Sequence, residues 1–176
     1  SFDSFWKAAF STATGPLARP IPMASFALNF YFGGMNEFYF KASNVVIHCF
    51  NGFLVYLLAL MVLTENATGK NSHYLKFGAL ATCLFWCLHP LNLTSVLYVV
   101  QRMVELSSMF GLLCVLAYLK GRRGTEFSSV VAWHAVSAIF FVLALFCKEN
   151  MLILVPLIAW LEWVLFGFSG KYPKYI

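Results

Sequence analysis

Two long runs without a charged residue are the most constraining feature of this sequence. Ala42–Leu63 extends over 22 residues and Phe127–Cys147 over 21 residues without Lys, Arg, Asp or Glu. A helix needs about 20 predominantly apolar residues to cross the hydrocarbon core of a bilayer. Both runs therefore predict membrane-spanning helices. A soluble fold is excluded, because a 176-residue chain that is 61% hydrophobic cannot bury so much apolar surface.

Three further apolar segments extend this pattern to about five spans. His89-Pro90 interrupts the uncharged stretch 77–101, and proline ends a helix at or before the residue that precedes it. A new helix is expected to start near Asn92 or Thr94, both good N-caps. Repeated strand alternation is missing, so the predicted fold class is an all-α integral membrane protein. The predicted spans are 42–63, 74–88, 94–119, 127–147 and 150–168.

The basic residues are distributed unevenly between the two ends of these spans, and cytoplasmic loops carry an excess of Lys and Arg. With residues 1–41 placed outside, seven basic residues fall on the cytoplasmic side and two on the outer side, or five if those of 1–41 are included. We therefore predict an extracytoplasmic loop segment at 1–41, a transmembrane domain at 42–168 and a cytoplasmic tail at 169–176. Membrane orientation explains the net charge of +5, and no nucleic-acid partner is expected. The seven are Lys70, Lys76, Lys120, Arg122, Arg123, Lys171 and Lys174.

Unusual polar residues collect at the predicted outer ends of the spans. Ionisable groups at membrane depth are costly and tend to face a cavity or a partner. Arg19, Arg102 and Lys148 are three cations that would suit a phosphate, with Arg as a planar fork and Lys as a point charge. Five further residues are expected to shape this pocket: His48, His89, Gln101, Glu105 and Glu149. No motif for a metal site is found.

Each of these residues also has a purely structural interpretation. Arg102 and Glu105 are spaced i,i+3 and could form a local ion pair on one helix. Lys148 and Glu149 could simply end a helical hairpin, with the lysine reaching the interface. The other three could be a turn residue, a core histidine and a helix cap: Arg19, His48 and His89.

Four segments taken together resemble a known group of proteins: GPLARPIPMASFALNFYFGG (Gly15–Gly34), FKASNVVIHCFNG (Phe40–Gly52), HPLNLTSVLYVVQRMVELSSMF (His89–Phe110) and CKENMLILVPLIAWLEWVLF (Cys147–Phe166). They look like the N-terminal membrane half of bacterial multi-pass proteins that end in tetratricopeptide repeats. Those proteins are similar to the transmembrane-and-tetratricopeptide O-mannosyltransferases of the GT-C glycosyltransferase superfamily. The resemblance therefore implies part of a GT-C-like fold in a bacterial inner membrane.

The resemblance also implies a reaction. A polyprenyl-phosphate-linked sugar would be the donor, with the chemistry on the extracytoplasmic side. The family's acidic motif follows its first transmembrane helix, and in this sequence only Asp3 precedes the Gly15–Gly34 segment. We therefore assign no catalytic residue and expect the chain as given to be incomplete and inactive.

Two other functions are consistent with the same residues. A non-catalytic transmembrane subunit could use the scaffold to dock in a larger membrane complex. A carrier site for a lipid or quinone is the third alternative. In every case the expected partners are membrane lipid and other transmembrane subunits, and no cofactor is expected beyond a bound lipid or polyprenyl phosphate.

Overall fold

The computed structural model describes residues 19–65 and 72–168, and within these ranges it contains α-helices and 3-10 segments but no strand. The chain is an all-α integral membrane protein. Two 3-10 segments, Val99–Gln101 and Glu149–Ile153, each lead directly into an α-helix. The α-helices are α1 (Pro20–Gly33), α2 (Glu37–Glu65), α3 (Ser72–Cys87), α4 (Pro90–Leu97), α5 (Arg102–Arg122), α6 (Phe127–Cys147) and α7 (Leu154–Phe166).

Four helical segments in the described ranges are long and apolar enough to cross a membrane. The pair α3 and α4 is bent by 59° at His89 and makes a fifth if it counts as one broken span. The expectation of about five spans is therefore confirmed. The four are Glu37–Glu65, Val99–Arg122, Phe127–Cys147 and Glu149–Phe166.

Helix α4 starts earlier than the sequence pattern indicates. It begins at Pro90 rather than at Asn92 or Thr94, because the fixed φ of proline suits the first helical position and its missing N–H is not needed there. The cap is His89, whose Nδ1 accepts a hydrogen bond from the Leu91 N–H at 3.3 Å. His89 thus caps α4, as its structural interpretation proposed.

A second break replaces the single helix expected over 94–119. The backbone becomes extended at Tyr98, with φ −86° and ψ 118°, and the α-helix resumes only at Arg102. A break inside a membrane leaves carbonyl groups that need donors. Asn44 of α2 supplies them, since its Nδ2 lies 3.4 Å from the Val96 oxygen and 3.2 Å from the Tyr98 oxygen.

The described part of the segment 1–41 is mostly helical. Helix α1 follows Arg19, a left-handed residue with φ 45°, and Pro20 occupies its first turn. Gly34, with φ 59°, permits the turn into α2, which begins at Glu37. Residues 1–18 and the tail 169–176 lie outside the described ranges, so the assignments made there stay predictions.

Helix α5 is the centre of the bundle. It packs most extensively against α6 and also lies along α2, which packs against α3 on its other side. The buried core between α5, α6 and α7 includes Cys114, Leu119, Ala144 and Leu154. The charged residues of α5 itself lie in its first turn, Arg102 and Glu105, and in its last turn, Lys120 and Arg122.

Candidate functional site

Arg102, at the first turn of α5, is completely buried at one end of the bundle. Its Nε donates to Asn44 Oδ1 at 2.9 Å, and its Nη2 donates to the Phe40 carbonyl at 2.8 Å. Its Nη1 donates to Asn29 Oδ1 at 2.9 Å and to the Ser25 carbonyl at 3.2 Å. The guanidinium thereby joins α1 and α2 to the start of α5.

A buried carboxylate lies one turn further along α5. Glu105 is 3% exposed, and its Oε1 is 3.2 Å from His48 Nδ1. Its Oε2 accepts from Asn51 Nδ2 at 2.8 Å, and the same amide nitrogen donates to the Glu105 carbonyl at 2.9 Å. Burial of a carboxylate is strongly unfavourable unless it is paired and hydrogen-bonded, so these two α2 side chains are what keep Glu105 in the interior.

The ring of His48 is held from both sides. Its Nε2 is 3.1 Å from the Cys87 carbonyl, which can only accept, so Nε2 carries a hydrogen. The other nitrogen, Nδ1, faces Glu105, so one further proton lies between the ring and the carboxylate. The ring also stacks on Trp86 with centroids 5.0 Å apart. His48 is therefore a core histidine bonded to neighbouring helices, as its structural interpretation proposed.

A cleft of about 450 Å³ opens beside His48 at the break between α3 and α4. His48 and His89 both line it, together with Cys87, Pro90 and Asn92. Most of the remaining lining is apolar. The structure therefore brings together two of the residues that the sequence assigned to the pocket wall.

Arg19 lies at the same end of the bundle. Its Nη2 is 2.7 Å and its Nε 3.3 Å from the two carboxylate oxygens of Glu149, and its Nη1 is 3.5 Å from Met103 Sδ on α5. The two side chains are 22% and 32% exposed, so this ion pair is open at the surface. Arg19 also has an unfavourable left-handed backbone, and such strain is concentrated at functional sites.

The other two candidates from the sequence, Lys148 and Gln101, take part in none of the ion pairs of the described ranges. Lys148 ends α6 in an extended conformation and is half-buried. Its neighbour Glu149 points to Arg19, so the hairpin does not close on a lysine–glutamate pair. Gln101 ends the 3-10 turn that leads into α5 and is half-buried.

Three proteins with similar sequences carry the name protein O-mannosyl-transferase TMTC1. The mouse protein is 32% identical over 117 residues, which are 66% of this chain, and the human protein is 31% identical over 149 residues, which are 82%. The Drosophila melanogaster protein is 29% identical over 132 residues, which are 75%. The chain is a relative of the TMTC proteins. It spans only 12–15% of the length of these three.

The relationship bears out the resemblance to the transmembrane-and-tetratricopeptide O-mannosyltransferases. The three TMTC relatives are animal proteins, so the bacterial source expected from the four segments stays a prediction. No family model matches the chain. No solved structure matches it either.

In this TMTC-related chain the candidate cations fall into two different environments. The guanidinium of Arg102 is enclosed by four protein acceptors, whereas Arg19 and Lys148 are both partly exposed. Arg102 and Glu105 do not pair with each other, because each finds its partners on α2 or α1. The structure thus shows a partly exposed Arg19–Glu149 ion pair and a buried network around Arg102 and Glu105 at the same end of the bundle.

Sequence reasoning missed two of the residues that hold this network, Asn44 and Asn51. With His48 they are spaced i, i+4 and i+7, which places all three on one face of α2. That stripe of polar residues inside an apolar span was the available signal. Buried asparagines in a membrane helix need partners, and these two bind Arg102 and Glu105 of α5.

Proposed function

We propose that the chain is the membrane portion of a GT-C-like glycosyltransferase that binds a polyprenyl-phosphate-linked sugar at the end of the bundle where Arg19 and Glu149 lie. The names of the TMTC relatives support transfer of mannose to hydroxyl groups as the reaction class. In this chain, Arg19 and Lys148 are the residues that would bind the phosphate of the sugar donor.

The observation that carries the proposal is the open ion pair of Arg19. Two guanidinium nitrogens face the two oxygens of Glu149, the side-by-side arrangement in which arginine also binds phosphate. Glu149 thus occupies the two guanidinium N–H groups, on Nε and Nη2 of Arg19, to which two phosphate oxygens would bind. Lys148 precedes Glu149 in the chain and would add a second cation near the same oxygens.

Arg102 has a positioning role in this proposal. Its bonds to Ser25 and Asn29 hold α1 against the start of α5, and Arg19 immediately precedes α1. In sugar transfer from a lipid phosphate, negative charge grows on the departing phosphate. Fixed cations stabilise that charge without having to reorganise. Arg19 and Lys148 would supply these cations, while Arg102 keeps Arg19 in place.

Arg19→Ala is expected to weaken binding of a short-chain polyprenyl-phosphate sugar to the full-length protein by about tenfold, the lower range for hydrogen bonds to a charged group. Arg19→Lys should lose less, and Glu149→Gln should bind as well as or better than wild type because the competing carboxylate is gone. Lys41→Ala, an exposed cation paired with Glu37, is the matched control. Equal affinity of wild type and Arg19→Ala in a titration would refute the proposed site.

We further propose that the 176-residue chain alone does not complete the transfer. Of its seven acidic residues, Asp3 lies outside the described ranges, four of the other six are held in ion pairs with Lys or Arg, and Glu105 is bonded to His48. The sixth, Glu126, lies at the opposite end of α5 and α6. A carboxylate held by a cation is a poor base for the acceptor hydroxyl.

General-base catalysis contributes about 10²–10⁴-fold, so the expected rate is at least about 100-fold below that of a full-length TMTC1 protein assayed alongside. The measurement is transfer of radiolabelled mannose from polyprenyl phosphate to an acceptor peptide. Comparable turnover by the 176-residue chain that is lost in Arg102→Ala but retained in Asp3→Ala would refute the proposal and make Glu37, Glu105 or Glu149 the base to test.

The polar end should face the extracytoplasmic side, because the other end carries the excess of basic residues. In a background without the five native cysteines, Asn150→Cys should react with an impermeant maleimide in intact cells, and Glu126→Cys should react only after permeabilisation. Both positions are exposed and lie at opposite ends of α6, so they form a matched pair. Labelling of Glu126→Cys in intact cells would reverse the assigned orientation.

A further inference from the structure

A second concave surface lies at the other end of the bundle, away from Arg19. It is a groove of about 500 Å³ between α2, α5 and α6. Its walls are apolar and include Leu57 and Leu60 of α2, Leu113 and Leu116 of α5 and Phe140 of α6. A groove with such walls on the outside of a membrane bundle is filled by hydrocarbon.

Two cations stand at the rim of this groove, both exposed on the last turn of α5 and its cap. Arg123 pairs with Glu65 and also donates to the Met61 carbonyl, so its charge is compensated. Lys120 instead lies over the indole of Trp133, with Nζ 4.0 Å from the ring centroid, and takes part in none of the ion pairs of the described ranges. The rim therefore carries one positive charge in excess.

We propose that this groove binds one anionic glycerophospholipid, with its phosphate at Lys120 and an acyl chain between α2, α5 and α6. Lys120 lies seven positions after Leu113, a rise of about 10 Å along the helix, enough for the upper part of an acyl chain. Trp133 lies beside Lys120, and tryptophan prefers the level of the lipid headgroups. The charge excess favours an anionic headgroup over a neutral one.

This lipid site is separate from the proposed donor site. Arg102 and Lys120 are 18 residues apart on one helix, a separation of about 27 Å along its axis. One phosphate cannot contact both ends of α5. The inference therefore stands or falls independently of the proposed transfer reaction.

The test is native mass spectrometry of the full-length protein with phosphatidylserine and phosphatidylcholine of identical acyl chains. Wild type should prefer phosphatidylserine by about fivefold, because a basic residue near the headgroups contributes about 1 kcal/mol to attraction of anionic lipid. Lys120→Ala should abolish the preference, whereas Lys120→Arg should retain it. Lys76→Ala removes an exposed cation from α3 outside the groove and should change nothing.

The apolar wall is tested with Leu57→Trp, which fills the groove and should weaken binding of both lipids. Val142→Trp, at an exposed position of α6 that does not line the groove, is its control. Equal binding of the two lipids by wild type, or an unchanged preference in Lys120→Ala, would overturn the proposal. An equal loss in Lys76→Ala would attribute the preference to general surface charge and overturn it too. Displacement of phosphatidylserine by polyprenyl phosphate, dependent on Lys120, would show that the assigned occupant is wrong.

Discussion

Arg102→Ala is expected to destabilise the protein by about 3–5 kcal/mol, the largest loss among the substitutions considered. The substitution leaves Asn44 Oδ1 and Asn29 Oδ1 without a donor, and it removes a second donor from the helical carbonyls of Ser25 and Phe40. It also removes the stacking of the guanidinium over Phe26, 4.6 Å from the ring centroid. Relief of the buried charge offsets part of this cost and does not outweigh the two unpaired asparagine oxygens.

Unfolding in mixed detergent micelles, followed by circular dichroism, measures this effect. Arg102→Lys should show an intermediate loss, because an ammonium group cannot reach all the acceptors that the planar fork reaches. Lys148→Ala serves as the control and should stay within about 0.5 kcal/mol, as expected for a residue without a buried partner. A stability of Arg102→Ala equal to that of Lys148→Ala would contradict the positioning role of Arg102.

Glu105→Leu is expected to cost about 2–4 kcal/mol, since it leaves His48 Nδ1 without a partner and removes one of the two acceptors of Asn51 Nδ2. His48→Leu should cost a similar amount, because the Glu105 carboxylate would then be buried beside a single side-chain donor. Residues in direct contact couple, so the double variant should lose about 1–3 kcal/mol less than the sum of the two single variants.

The same unfolding measurement completes this double-mutant cycle. A second cycle between Glu105 and Lys41 provides the control, because Lys41 pairs with Glu37 and has no contact with Glu105 in the structure. That cycle should be additive within about 0.5 kcal/mol. Additivity of the His48 and Glu105 substitutions would mean that their contact does not stabilise the bundle.

The spans were predictable because the bilayer sets a length and a composition that the sequence reveals directly. Ala42–Leu63 lies wholly within α2, and Phe127–Cys147 coincides with α6. The break at Tyr98 was not predictable from the local pattern. It depends on Asn44, which lies 54 residues away in the chain and supplies the hydrogen bond that the opened turn needs.

The sequence predicted which polar residues to consider, but not which partners they have in the fold. Charge counting gathered Arg19, Arg102 and Lys148 at one membrane face, but it carried no information on which of them is buried. That distinction depends on pairings between helices, such as Asn44 with Arg102. Another such pairing joins Arg122 of α5 to Glu162 of α7. The sequence assigned no site to Glu162, because the pattern along one helix does not show contacts between helices.

We propose that the guanidinium N–H groups of Arg19 that now bind Glu149 bind the phosphate of the donor. A cryo-electron microscopy structure of the full-length protein with a polyprenyl-phosphate sugar bound tests this directly. We expect the phosphate to lie within hydrogen-bond distance of the Arg19 guanidinium, with Glu149 displaced from it and Arg102 still bonded to Asn44 and Asn29. A phosphate bound elsewhere, with the Arg19–Glu149 pair intact, would show that Arg19 is not the phosphate ligand.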